Sequence, residues 1–593
     1  MNSYEPIADY ALVGDGRTGA LISRGGSVDW LCLPEFDSPS IFARLLDPKG
    51  GRFALAPVDA REVERRYVDG TNVLQTTFTT GAGVVRITDA MTLTAPGTLA
   101  PERELTRRVE CLEGEAVLEW QFEPRPENAR RRPKLGEHGR DIICSAGKLA
   151  CSLTRWDTGG AVLHGNGARG DFRVQAGETA LLVLGVAHGT PLVLPGRGEV
   201  ERRLTATIEF WRDWSGRAHY DGRWREQVIR SALALKLLVF APSGAIVAAP
   251  TTSLPESLGG GRNWDYRFSW VRDSAYALTA LLKLGYHAEA EAFFWWLSHA
   301  TALTHPELRV LYRVNGDVHV DERKLEHLEG YRGSKPVRVG NAAHRQTQLD
   351  VYGAVFDAIW QYASREGRID AVSGRTLVKI ADWVAQNWIH RDAGIWESRG
   401  GARHHTQSKA MCAIALERAA RLAAAGLIAD RRKRWRAAER DVRAYVDRWC
   451  WDQERGSYVR APEVRELDAS LLTLSLFNYD EPEDERIQGT IAAVERELRE
   501  GPRVFRYRDH DGFDGADGAF LACSFWLAAA QAKSGRTRDA VQLIEEVLEF
   551  ANDLGLWSEE VAPDGSLLGN FPQALTHLAF IDAALAVALA EAA

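Results

Sequence analysis

The chain is poor in cysteine. Seven residues, at 32, 111, 144, 151, 412, 450 and 523, are spread over 593 positions, an odd number with no CxxC pair. That spacing excludes a disulfide framework and disfavours a zinc site, and it predicts reduced, mostly buried thiols of a cytoplasmic protein. Long apolar runs are missing too. Charge or glycine interrupts each one before about 18 residues, so no membrane-spanning helix is expected. The start, Met1-Asn-Ser-Tyr-Glu-Pro-Ile-Ala-Asp-Tyr10, has neither a basic nor an apolar leader segment, and no signal peptide is expected. Positive charge is not in excess: 73 Lys and Arg face 81 Asp and Glu, a net charge of −8. This argues against nucleic acid or an anionic membrane as the main partner. The basic run Arg130-Arg131-Arg132 is short and isolated and reads as a solvated loop. Low-complexity segments and short-period repeats are absent.

What remains is an ordinary globular composition, 45% apolar and 26% charged, on a chain too long for one core. Its character changes near residue 200. Before that point, β-type runs such as Asn72–Thr79, Gly83–Thr88, Ala116–Phe122 and Thr179–Leu184 alternate with turn residues, which suggests an antiparallel β-sandwich over 1–198. Glu199–Trp214 reads as a polar, Arg-rich helix within a linker over 199–220. From 221 to 593 amphipathic segments follow one another, about eleven or twelve helices by apolar periodicity. Among them are Gln346–Glu366, Thr537–Leu554 and Gln573–Ala592. Helix pairs joined by long loops point to an α/α toroid, with the loops at one end free to carry an active site.

Four loops combine glycine, aromatic and charged residues. Gly259–Ser274 holds three Arg, two Asp and two Trp between Arg262 and Asp273. That mixture suits a sugar, whose apolar faces stack on rings while Arg–Asp pairs bind hydroxyls; a salt-bridge network at a helix N-terminus is the alternative. Glu329–Asp350 is a second such loop, with Asn341 placed to start the next helix. The third, Asp392–Gly401, sets Glu397 between Trp396 and Arg399 and is followed by His404-His405. Adjacent His side chains cannot share a helix face, so no metal is expected there; a His that orients a hydroxyl or fixes the loop fits better. The fourth, Trp557–Gln573, carries Glu559 and Glu560. Two carboxyls in aromatic, glycine-flanked loops are what cleavage of a glycosidic bond needs, one to protonate the leaving oxygen and one to activate water. An apolar wall such as Trp396 would raise the pKa of the acid.

Several of these stretches also resemble a known family. Ile7–Asp15 and Gly26–Pro39 look like the N-terminal domain of bacterial trehalase-like proteins. Asn263–Asp273, Pro336–Ala343, Gly394–Arg399, Ser408–Cys412 and Gly569–Gln573, five motifs in order, resemble glycoside hydrolase family 15, the glucoamylase, glucodextranase and trehalase family. The resemblance implies an N-terminal β-sandwich followed by an (α/α)6 barrel, and cofactor-free hydrolysis of α-glucosidic bonds from the non-reducing end with inversion. By motif, Glu397 matches the general acid and Glu559 the general base, with Glu560 in reserve. Arg272 and Asp273 match the pair that holds the hydroxyls of the non-reducing glucose; Trp264, Asp265, Tyr331, Trp396 and Arg399 match sugar contacts. Gln407, His405, Ala354 and Asp517 depart from the usual pattern, the first two near the acid and so near the leaving group.

The expected substrate is a small α-glucoside, trehalose first. An α-1,4- or α-1,6-oligosaccharide is the runner-up. An inverting phosphorylase and a non-catalytic carbohydrate-binding protein are remoter readings: the second carboxylate speaks against both. Beyond the substrate, a second copy of the chain in a homo-oligomer is the one partner left open.

Overall fold

Alternation of apolar and polar residues builds the first part of the molecule. In the computed structural model, which describes residues 4–93, 103–165, 167–302, 304–508 and 518–592, residues 10–188 form one continuous antiparallel sheet of 15 strands. Its spine is the 21-residue strand Arg103–Glu123. The first half of that strand pairs with Gly83–Met91 and Thr179–His188, the second half with Arg52–Pro57 and Gly167–Gln175. Gly114, at φ +63°, lies between the halves. Leu105, Val109 and Cys111 on one side of it and Leu118, Trp120 and Phe122 on the other are all buried, at the period of two that a half-buried strand requires. The sheet thus has two wings that share one strand.

A buried ion pair joins the wings. Arg107 donates to Asp89 at 2.8 and 3.2 Å, to the Phe53 carbonyl at 3.0 Å and to the Gly26 carbonyl at 2.8 Å. Both partners are at most 1% exposed, so each charge depends on the other for its solvation.

Helices occupy the rest: α1 (Arg197–Ser215), α2 (Arg225–Leu237), α3 (Val271–Lys283), α4 (His287–Ala300) and α5 (Asp350–Glu366). They continue with α6 (Ala371–Asn387), α7 (Thr406–Ala424), α8 (Arg432–Trp449) and the short α9 (Thr473–Leu476). The last four are α10 (Glu485–Leu498), α11 (Leu521–Lys533), α12 (Thr537–Leu548) and α13 (Ala574–Ala592). Packing runs α3 on α5, α5 on α7, α7 on α9, α9 on α11, α11 on α13 and α13 back on α3. The sequence separates these from their neighbours. Residues 521–532 of α11 are all buried, whereas α8 buries Trp435, Ala438, Val442 and Val446, the single stripe of an outer helix.

Three expectations are corrected. Gln346 does not begin a helix: α5 starts at Asp350, because Gln346 and Gln348 turn their side chains to Glu397. Asn341 caps the 3-10 turn Ala342–Arg345, accepting from the Ala343 N–H, rather than a long helix. The segment expected to be helical to Leu554 stops at Leu548. The short α9, of four residues, has no helical period in the sequence. One helix, α13, is long and apolar enough to cross a membrane by composition; it packs against α2, α3, α11 and α12. All seven cysteines are buried and unpaired. Asp517 lies outside the described residues.

Replacing Arg107 with Ala leaves Asp89 buried without its counter-charge. The expected loss is about 3–5 kcal/mol, read as a fall in the denaturation midpoint of the sheet.

Candidate active site

Three loops meet where α3 begins. Asn263–Trp270 runs into that helix, with Trp270 as its N-cap and Arg272 and Asp273 in its first turn. The turn after α6 carries Glu397 at φ +50°, a conformation that an unbranched residue adopts at some cost. The third loop is a hairpin, Glu560–Val561 with Leu567–Leu568, paired also to Ala519–Phe520. Strand alternation there sends neighbouring side chains apart. Glu559 lines a cavity, while Glu560 forms an ion pair with Arg506 at 3.0 Å and lines neither of the cavities described next.

Two cavities adjoin. The inner one lies between Arg272, Asp273, Trp270, Glu397, Glu559 and Phe520 and has about 360 Å³ of space, its solvent-open mouth included. The outer one, about 570 Å³, is bounded by Glu256, Arg262, Trp264, Asn341, Gln346 and Arg399. Tyr266, Trp396, Glu397 and Arg506 border both. Glu397 thus stands at the junction, and Glu559 faces the inner space alone.

The Glu397 carboxyl accepts from Gln348 Nε2 at 3.1 Å and from Trp270 Nε1 at 3.3 Å, with the Arg272 guanidinium at 3.5 Å. Burial pushes its pKa up to about 7; Arg272 and Gln348 pull the other way, and Asp273 and Asp350 add to the rise. Arg272 also donates to Asp273 Oδ1 at 2.7 Å and to the Ile395 carbonyl at 2.8 Å, and faces Asp350 at 3.6 Å. Asp350, fully buried, is raised to about 6 by the loss of water.

Glu559 accepts from the Tyr266 hydroxyl at 2.7 Å. Its pKa is pushed up to about 8, by burial first and then by the Glu256 carboxylate, against the pull of Arg506. Arg506 bridges the acids, donating to Glu256 at 2.7 Å. The other Glu559 oxygen lies over the backbone at Gly569: a Cβ there would stand 2.6 Å from it, and φ is +75°. The two carboxyls are anchored by different rings of one edge-on pair, Tyr266 and Trp270, with centroids 5.2 Å apart. One group can therefore give a proton at the junction while the other takes one inside.

Of the residues singled out from sequence, Arg272, Asp273 and Glu559 line the inner cavity, Trp264 and Arg399 the outer one, and Trp396 and Glu397 both. Two are not brought there. Asp265 is wholly buried and paired with Arg267 at 2.6 Å, and it accepts from the Gly340 N–H at 2.9 Å. Tyr331 packs edge-on against Tyr4 and donates to the Glu5 carbonyl. Tyr331 serves the contact with the N-terminal segment, and Asp265 holds Arg267, which reaches the Ser38 carbonyl of the N-terminal part. His405 lies against Gly394, where an added Cβ would meet the ring at 2.7 Å; burial holds its pKa down at about 3. Neither His405 nor Gln407 lines either cavity. Tyr266, Trp270, Arg262, Gln348 and Asp350 were within the loops already singled out, but nothing in sequence ranked them. Glu256 and Arg506 gave no signal.

The family model for glycosyl hydrolases family 15 matches residues 222–585, and that for the trehalase-like N-terminal region matches residues 2–155. A protein of Mycobacterium tuberculosis described as a trehalase is 36% identical over 623 aligned residues, covering 100% of this chain and 91% of its own. One from Mycolicibacterium smegmatis with the same description is 37% identical, covering 100% and 92%. A crystal structure of bacterial glucoamylase complexed with acarbose superposes with a TM-score of 0.72 at 12% identity, covering 99% of this chain and 94% of that one. At that identity the likeness is one of fold, an antiparallel sheet followed by many helices.

Gly569→Ala should displace Glu559 and lower kcat on an α-glucoside by about 100-fold, the effect of a misplacement near 1 Å, with the circular dichroism spectrum unchanged. With Glu559 as the base and Glu397 as the acid, kcat/KM should rise with pH as Glu559 loses its proton and fall as Glu397 does. Both are raised above the ordinary carboxylate range, which puts the optimum at roughly pH 7–8. Glu256→Gln removes a negative charge beside Glu559, which lowers the Glu559 pKa and should move that optimum to lower pH.

Proposed function

The chain belongs to glycosyl hydrolases family 15, and on that footing we propose that it is a trehalase, hydrolysing trehalose with inversion at the anomeric carbon. The observation that carries the reading is the position of Glu397 at the junction of two cavities, with Glu559 in the inner one. One glucose unit occupies the inner cavity, held by Arg272 and Asp273. The second occupies the outer cavity beside Trp264 and Arg399. The bond between C1 and the bridging oxygen lies at Glu397, which donates its proton to that oxygen. Glu559 takes a proton from a water that attacks C1 from the other side. Inversion calls for a carboxyl separation of roughly 6.5–9.5 Å, enough for that water. The separate anchors on Tyr266 and Trp270 support such a spacing.

The full-length likeness to proteins described as trehalases supports this disaccharide. We read the closed circuit of α3, α5, α7, α9, α11 and α13 as the inner ring of an (α/α)6 barrel over 221–593, with 1–198 a β-sandwich and 199–220 the linker. The seven buried thiols suit a reducing, cytoplasmic setting.

Attack on one unit of trehalose gives β-glucose from the inner cavity and leaves the departing unit as α-glucose. Early proton NMR of the reaction should show the two anomers in equal amounts; α-glucose alone would mean retention, and phosphate-dependent glucose 1-phosphate would mean phosphorolysis. Glu397→Gln and Glu559→Gln should each lower kcat on trehalose at least about 100-fold. On α-glucosyl fluoride, whose leaving group needs no proton, Glu397→Gln should lose far less than Glu559→Gln.

A further inference from the structure

One wall of the outer cavity is built in an unusual way. Two guanidinium groups lie over the indole of Trp264, that of Arg399 at 4.2 Å and that of Arg338 at 4.5 Å from the ring centroid. A single carboxylate holds both. Glu322 Oε2 accepts from Arg399 at 2.8 Å and Oε1 from Arg338 at 3.2 Å, and Oε2 accepts also from the Ala342 N–H at 3.2 Å. Arg338 goes on to donate to the carbonyls of Gly261 and Asn263, at 2.9 and 3.0 Å. The cluster therefore ties together the loop before α3, the strand pair Arg323–Lys324 with Arg338–Val339, and the turn that carries Glu397, two residues from Arg399.

The local backbone is built to bring these groups close. Gly340, at φ +78°, passes so near the opposite strand that a Cβ would lie 2.2 Å from the Asp321 carbonyl oxygen. The side chains of Arg338 and Glu322 are 8% and 15% exposed, so water screens them little, and Arg399 is 34% exposed where it borders the cavity. Two like charges gathered over one ring need an anion between them, and an Arg fork that is fixed in place is a planar donor for hydroxyl oxygens.

We propose that Glu322 is a positioning residue for the leaving group: by holding Arg399 and Arg338 over Trp264 it shapes the outer cavity for the departing sugar and fixes the turn that presents Glu397. This rests on the reading of the outer cavity as the leaving-group site. Glu322 itself lines neither cavity, so it acts through the two arginines and not by touching substrate.

The test compares two substrates that share the inner glucose and differ in the departing group. Trehalose fills both cavities; α-glucosyl fluoride fills the inner one and needs neither the outer wall nor the acid. For Glu322→Gln, kcat/KM on trehalose should fall by about 10- to 100-fold while the fluoride is hydrolysed within about twofold of wild type, which also reports a folded inner site. Glu322→Asp, which keeps the charge, should recover part of the loss. An equal fall on both substrates would show a merely structural role and overturn the proposal, as would an unchanged rate on both. Wild-type protein that turns over the fluoride and not trehalose would count against the substrate reading instead, and the comparison is then made with whichever of maltose or isomaltose it cleaves.

Discussion

The Arg272 guanidinium is the fixed point of the site. Its side chain is 5% exposed, yet it touches Asp273 on its own helix, Asp350 at the start of α5, and Glu397 and the Ile395 carbonyl on the turn before α7. A buried cation among three acids must stay charged, and the acids raise its pKa well above the ordinary value although burial alone would lower it. Joining consecutive members of the helix circuit through one charge makes the floor of the inner cavity rigid. It also leaves Glu397 with attraction too weak to ionise it fully: at 3.5 Å the guanidinium offsets burial in part, and the carboxyl remains able to hold a proton near neutral pH.

Glu397 and Glu559 both sit above the usual carboxylate range, so titration by itself does not assign their roles. Position does. A proton donor must reach the bridging oxygen, which lies between two sugar units, and Glu397 borders both spaces. A base must reach a water on the inner unit, and Glu559 borders the inner space, with Tyr266 holding one of its oxygens and the other packed where Gly569 leaves room. Behind it Glu256 and Arg506 supply opposing charges that act on how readily it ionises.

The β sheet takes part in this indirectly. Arg267, one residue past the tyrosine that holds Glu559, reaches the Ser38 carbonyl at 2.8 Å and Cys32 Sγ at 3.3 Å. Trp30 donates to the Pro250 carbonyl, and Asn552 to the carbonyls of Ala8 and Tyr10. The loops of the site are thus pinned from outside by the first strands. Asp265 and Tyr331 belong to that support, which is why motif residues that read as sugar contacts ended up with their hydrogen bonds spent elsewhere.

Periodicity in the sequence was enough to locate several of the strands, the long helices and the change of architecture near residue 200, because apolar spacing of two or 3.6 reflects which side of an element is buried. The short loops with their carboxylates, arginines and rings were also legible, since such residues in glycine-rich turns have no packing reason to be there. Tertiary structure decided what spacing leaves open. It separated Glu559 from Glu560 by strand alternation, withdrew Asp265 and Tyr331, and brought in Glu256, Glu322, Arg338 and Arg506 from segments without any mark of their own. Charges act through space over a few ångströms, and the chain order carries no record of which charges the fold will make neighbours.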